Sequence, residues 1–106
     1  MLKVVDGYDL KKLNKYGFVY HYETYTRRTF DWDIVDYINE EETSEFYEFN
    51  DKDADVTLTF FTDERELIIG YDYDGFVSDK IIGVIFDIVK DGVVEKVSRT
   101  WLEILS

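Results

Sequence analysis

Val56-Thr57-Leu58-Thr59-Phe60-Phe61, Thr62-Asp63-Glu64-Arg65-Glu66 and Leu67-Ile68-Ile69-Gly70-Tyr71 follow one another without a break, and this stretch decides the fold class. Val56, Leu58 and Phe60 alternate with Thr57, Thr59 and Phe61, the period of two that puts apolar side chains on one face of a strand. The charged segment between the two apolar runs reads as the connection of a β-hairpin.

Toward the N-terminus, residues 50–55 read as a turn-rich acidic loop and residues 40–45 as a polar acidic connection. Phe46 and Phe49 flank a short stretch that suits another strand. Phe30-Asp31-Trp32-Asp33-Ile34 alternates strictly, which predicts a strand with Phe30, Trp32 and Ile34 inward and the aspartates outward. Phe30, Ile34 and Ile38 also fit helical spacing, so the conformation from Asp36 onward stays open. Residues 26–29, with Arg27 and Arg28, read as a turn. Residues 18–25 predict an aromatic-rich strand, with Phe18, Tyr20 and Tyr22 on one face and Val19, His21 and Glu23 on the other. Before it, Leu10, Leu13 and Tyr16 recur at helical spacing, with Asp9 at the start and Gly17 as the stop.

Toward the C-terminus, Ser78 is an N-cap with Asp79 in the first turn. Ile81, Ile82, Ile85, Phe86 and Val89 make a helical stripe that Lys90 and Gly92 close. The β-branched content and Asp91-Gly92 favour a hairpin instead. Helix is preferred, because cap, stripe and stop agree. From Val93 on, Val94, Val97, Trp101 and Leu105 suit a helix face, and two short strands fit as well. The expectation is one α+β domain over residues 1–106, with a mainly antiparallel sheet of four or five strands and two or three short helices.

The chain has 106 residues, enough for one core. Hydrophobic residues make up 45% and aromatics 18%, too apolar for intrinsic disorder despite a net charge of −12. That charge repels naked nucleic acid and anionic membranes. No apolar run approaches the ~20 residues of a membrane helix. The start, MLKVVDGYDLKKL, has neither a signal-peptide core nor an Arg-rich transit pattern. With no Cys, the chain has no disulfide, thiolate metal site or cysteine nucleophile. A cytoplasmic location is expected.

The charge is uneven. Asp31, Asp33, Asp36, Glu40, Glu41, Glu42, Glu45, Glu48, Asp51, Asp53 and Asp55 face Lys52 alone, a local balance of −10, while the rest of the chain balances to −2. Trp32, Tyr37, Phe46, Tyr47 and Phe49 interleave with these acids. Spaced carboxylates can occupy positions that phosphates would take in a basic groove, and aromatics can anchor the contact. The competing reading is a solvated face that keeps the protein soluble. The candidate partner-binding residues are these eleven acids with Trp32 and Tyr37.

Other chemistry finds little support. Asp51, Asp53 and Asp55 resemble the start of an EF-hand loop, but Val56 and Thr62 stand where it needs Gly and Glu. No metal site and no cofactor are expected. His21 sits between Tyr20 and Tyr22, a packing context rather than that of a general base. Carboxylate pairs are uninformative among 24 acids. No nucleophile elbow, P-loop or dinucleotide fingerprint is present, so an enzyme is not expected. Tyr20, Tyr22, Tyr25, Phe30 and Trp32 could stack bases, but the surroundings are acidic, and sheet packing explains them better.

Two segments, Asp9-Leu10-Lys11-Lys12-Leu13-Asn14-Lys15-Tyr16-Gly17-Phe18 and Ile85-Phe86-Asp87-Ile88-Val89-Lys90-Asp91-Gly92-Val93-Val94-Glu95-Lys96-Val97, resemble small uncharacterised proteins of Firmicute phages and mobile elements. The resemblance implies a short helix, an antiparallel sheet and a closing helix, and a mobile-element origin with no particular activity. The acidic middle and the residues after Val97 depart from it. The resulting expectation is a non-enzymatic, phage-encoded inhibitor of the anti-CRISPR or DNA-mimic type. Its partner would be a basic protein such as a nucleic-acid-binding nuclease, in the cytoplasm of a bacterial host. The alternatives are an immunity protein or antitoxin against a basic toxin, and a homo-oligomeric structural phage protein.

Overall fold

The structure, a computed structural model, describes residues 1–97. Its elements are β1 (Leu2–Val4), a 3-10 helix (Leu10–Tyr16), β2 (Val19–Asp31), β3 (Asp36–Asp51), β4 (Val56–Phe61), β5 (Leu67–Tyr71), α1 (Asp79–Lys90) and β6 (Val94–Lys96). Four strands form an antiparallel sheet in the order β2-β3-β4-β5, and β1 pairs with β6 in a second, two-stranded sheet. This is the expected α+β class.

The hairpin of β4 and β5 forms where the alternation placed it, in the register Val56↔Tyr71 to Phe60↔Leu67. Val56, Leu58 and Phe60 are fully buried. Phe18 packs against Phe60 at 5.4 Å and against Phe49 at 5.9 Å, both tilted. Leu13, Val4, Ile81 and Ile88 complete the centre of this core. Arg65 ties the β4–β5 turn to the N-terminal segment by donating to the carbonyls of Val5 (3.0 Å) and Tyr8 (2.8 Å).

Both predicted helices form with the expected ends. The first is a 3-10 helix: Asp9 accepts from the Lys11 amide at 3.0 Å, and Gly17 closes it at φ +95°. A Cβ on Gly17 would also meet the Phe49 ring at 3.0 Å, so glycine is required twice over. The Ser78 hydroxyl caps α1 by accepting from the Ile81 amide at 3.2 Å. The stripe on α1 is rotated from the expected one. Ile81 and Ile88 are fully buried, with Val84 and Ile85 packed beside them, whereas Ile82, Phe86 and Val89 are exposed. The helix is apolar on more than one face, so periodicity alone could not choose the inner one.

The largest departure lies in residues 19–51. Residues 26–29 are not a turn, and residues 40–45 are not a connection. Both belong to one continuous ribbon, with β2 paired to β3 from Val19↔Glu48 to Asp31↔Asp36. Trp32 and Ile34 do not point inward. They lie in the turn at the ribbon's tip, and Trp32 is 81% exposed. Val35 closes this turn at φ 53°, a strained conformation for a β-branched residue. Threonine and tyrosine have high β-propensity, and cross-strand pairs along the ribbon supply what the core does not. Of the residues left open in the tail, Val94 lies in β6, while Trp101 and Leu105 lie outside the described residues.

β4 pairs with β3 only over Phe46–Asp51. The Glu45 carbonyl still accepts from the Thr62 amide at 3.0 Å, and residues 36–44 pair with β2 alone, as an arm that leaves the body. The radius of gyration is 17.2 Å, against about 13 Å for a compact chain of this length. The longest dimension is 53 Å.

The body and the arm should respond differently to truncation. Phe60→Ala is expected to cost ~3–5 kcal/mol of unfolding free energy. Trp32→Ala, at the exposed tip, should stay within about 0.5 kcal/mol of the parent. Urea denaturation of both variants measures the difference.

Candidate functional site

The arm is built from cross-strand pairs. On the face continuous with the core lie Tyr20 opposite Tyr47, Tyr22 opposite Glu45, Arg28 opposite Asn39 and Phe30 opposite Tyr37. The other face carries His21 opposite Phe46, Glu23 opposite Ser44, Tyr25 opposite Glu42 and Arg27 opposite Glu40. Ring contacts run along both faces. Tyr20 meets Tyr47 edge-on at 5.4 Å, and His21 stacks on Phe46 at 5.3 Å. At the tip Phe30 meets Trp32 at 4.7 Å and Tyr37 at 5.1 Å, and Arg28 lies over the Tyr37 ring at 4.2 Å. His21 has the packing role its neighbours suggested.

The structure divides the sequence-predicted site residues into three groups. Asp31, Trp32, Asp33, Asp36 and Tyr37 gather at the tip. There the carboxylates of Asp31 and Asp36 also accept from the amides of Asp33 and Tyr37, at 2.8 Å each. Glu40, Glu41, Glu42, Glu45 and Glu48 line β3 along the arm and at its base. Glu41 and Glu45 lie on the core-side face, and Glu40, Glu42 and Glu48 lie on the other. Asp51, Asp53 and Asp55 sit at the opposite end of β3, in the turn before β4.

Asp51 is buried and serves the fold. It accepts from the amides of Asp53 (3.2 Å) and Ala54 (3.4 Å) and from the Ser78 hydroxyl at 2.6 Å. These contacts join the β3–β4 turn to the cap of α1. The Ser78 hydroxyl, with the two amides, holds the Asp51 carboxyl below the usual range.

Where β3 leaves β4, the arm and body enclose a groove of about 480 Å³. Glu42 and Glu45 border it on the arm, and Asp63 and Glu64 border it from the β4–β5 turn. Sequence reasoning missed Asp63 and Glu64 because they lie outside the acidic segment. Only the hairpin register brings them to it. Within the groove the Tyr25 hydroxyl donates to Glu42 at 2.8 Å, and Arg27 pairs with the same carboxylate at 3.3 Å. The tyrosine hydrogen bond, and then the guanidinium, lower the Glu42 pKa. Tyr20 donates to Glu45 at 2.5 Å, which, with partial desolvation, pushes its own pKa up to about 12. Asp33, Asp36, Glu40, Glu41 and Glu48 form no ion pair among the described residues.

A second cavity, of about 430 Å³, lies on the other side of the arm's base. It is bordered by Lys11 and Asn14 of the 3-10 helix and by Phe18, Val19, Tyr20 and Tyr47. Among the described residues no group of His, Cys, Asp and Glu is placed to hold a metal ion. No helix there is long and apolar enough to cross a membrane. No protein-family model matches the chain, and no curated protein or solved structure matches it.

The two carboxylate–tyrosine contacts give opposite pH signatures. Glu42 has a lowered pKa in the fold, so its contribution is present above the unfolded value of 4.5 and is lost as pH falls through the folded value. Tyr20 has a raised pKa, so its contribution is complete below pH 10.0 and is lost as pH rises from there through about 12. The stability gap between parent and Glu42→Gln should shrink in acid, and that between parent and Tyr20→Phe should shrink in alkali. Thermal melts across pH read both.

Proposed function

We propose that the protein is a non-enzymatic inhibitor that places the acidic side of its arm in a basic, nucleic-acid-binding surface of another protein. The groove at the arm's base carries the reading. Four carboxylates from two separate parts of the chain border it, and the acidic strand β3 leads away from it. A lysine or arginine entering the groove would meet several carboxylates at once, where field lines concentrate.

The spacing along β3 suits the same role. Seven acids lie between Asp36 and Asp51, and at ~3.3 Å per residue they span about 50 Å. That is roughly one charge per 7 Å, about half the linear density of one DNA strand. Six of the seven lie outside the buried turn that holds Asp51. Tyr37 and Trp32 add exposed rings at the tip, where aromatic anchors contribute affinity that screened charge does not. A host defence nuclease of the CRISPR type, met in the bacterial cytoplasm by a phage-encoded protein, is the partner class to test first. The phage origin rests on the two short segments noted above.

The test pairs one variant with two readouts. Glu40→Gln, Glu41→Gln, Asp63→Asn and Glu64→Gln together remove charge while keeping side-chain shape. Cleavage by an RNA-guided nuclease should be inhibited by the parent and restored at least about tenfold with the variant, since several charge contacts are lost. Inhibition by the parent should weaken as salt rises, and added DNA should displace the protein. Inhibition unaffected by the four substitutions and by salt would overturn the acidic-surface reading.

A further inference from the structure

Among the described residues, no strand pairs with the outer edge of β2. β2 is the terminal strand of its sheet, and its residues from Val19 to Arg28 are all exposed. Edge strands normally carry protection: a short length, a proline, charged side chains of one sign, lysine above all, or a bulge. β2 runs for 13 residues, has no Pro and no Lys, and keeps an unbroken register with β3. The sheet's other terminal strand, β5, has only 5 residues, and β1 bridges beside it through Lys3↔Glu66. The arm's second edge, residues 36–44 of β3, carries charges of one sign, Asp36, Glu40, Glu41 and Glu42. Among the described residues, β2 is the long edge whose charges, Glu23, Arg27, Arg28 and Asp31, are of both signs and can therefore match those of another copy.

We infer that β2 pairs antiparallel with β2 of a second copy, about a two-fold axis at Tyr25, so that two four-stranded sheets become one of eight. The sequence of β2 is self-complementary in that register. Tyr25 is the central residue of Val19–Asp31, so all 13 residues overlap. Glu23 falls opposite Arg27 of the second copy, twice by symmetry, where the guanidinium that already pairs with Glu42 of its own chain at 3.3 Å would be shared between the two carboxylates. Tyr22 falls opposite Arg28, and Phe30 opposite Tyr20. Phe30 already contacts Tyr37, and Tyr20 contacts Tyr47, so the pairing extends one aromatic row across four strands. Sliding the register by two residues either way moves Glu23 opposite Tyr25 or Thr29 and breaks both charge pairs. A slip of one residue would place the two strands' hydrogen-bonding groups out of phase.

The ends of the arm agree with this register. Asp31 falls opposite Val19 of the second copy, so each tip lies beside the other copy's 3-10 helix. The tip offers Trp32 between Asp31 and Asp33. The receiving surface is the 430 Å³ cavity walled by Phe18, Val19, Tyr20 and Tyr47, with Lys11 at its border. Lys12 and Lys15 lie on the same helix. An apolar ring flanked by carboxylates thus meets an apolar hollow with the Lys11 ammonium at its border. The two bodies lie at opposite ends of the paired arms, about 40 Å apart at ~3.3 Å per residue, and do not collide. The groove bordered by Glu42 and Glu45 lies at the opposite edge of the arm and is not covered by this pairing.

The chain's lack of cysteine makes the register directly measurable. Residues facing each other across antiparallel strands have Cα atoms ~4.5–5.5 Å apart, within disulfide range. The parent should show about twice its 12.7 kDa mass by light scattering at micromolar concentration. Under mild oxidation Tyr25→Cys should join two copies, while Phe86→Cys on the exposed side of α1 should not. Glu23→Arg and Arg27→Glu should each weaken the dimer about tenfold by setting like charges opposite each other. A mixture of the two variants should recover it, a result that simple loss of folding cannot produce. A parent that stays monomeric would overturn the inference. So would a dimer in which Phe86→Cys cross-links in preference to Tyr25→Cys, or one that the charge variants leave unchanged.

Discussion

Phe18, at the entrance to β2, is wedged between Phe49 of β3 and Phe60 of β4, and everything displayed on the arm depends on that wedge. Strand side chains alternate, so a slip of one residue would move every arm side chain to the opposite face. The distal ribbon has no core of its own to resist such a slip. The register is therefore chosen in the body, where Phe18 and Phe49 can be buried together, and is transmitted outward by the ladder. The glycine at position 17 belongs to the same constraint, because its missing side chain lets the turn pack directly on the Phe49 ring.

The parts of the fold tied to this core were legible in the sequence. Val56, Leu58 and Phe60 showed a half-buried strand because one face is apolar and the other is not. Asp9, Gly17 and Ser78 announced helix ends because capping is local chemistry between neighbouring residues. The arm was not legible, for the converse reason. Both of its faces meet water, so no apolar alternation marks residues 23–28 or 39–45, and Glu40-Glu41-Glu42 resembles a linker by composition. The one alternating run, Phe30 to Ile34, was misread because it straddles a turn. Phe30 belongs to the strand, while Trp32 and Ile34 belong to the tip.

The charge concentration was correctly located in sequence, but its arrangement in space was not. A continuous acidic segment suggested one surface. Folding it as a hairpin strand spreads it along the molecule, sends alternate carboxylates to opposite faces and buries Asp51 as a structural tie. The same hairpin brings Asp63 and Glu64, distant in sequence, to the arm's base. Neither effect can be read from composition, because both depend on which residues pair. Tyr20 and Tyr25 then set the character of individual carboxylates by donating to Glu45 and Glu42.

The small sheet of β1 and β6 has a different kind of consequence. It joins Leu2 to Lys96, and the Tyr16 hydroxyl joins Asp91 at 2.6 Å, so these contacts close loops spanning most of the chain. The arm closes through a four-residue turn. Loop-closure entropy favours the short closure, and rates fall as contacts become more distant in sequence. The ribbon can thus zip early from its tip, whereas the body is complete only when residues near 96 return to those near 2. Between those two events the chain already displays the outer edge of β2, at the stage when partly folded chains are most exposed to unwanted pairing. The carboxylates crowded along β3 are then the chief source of repulsion between such chains.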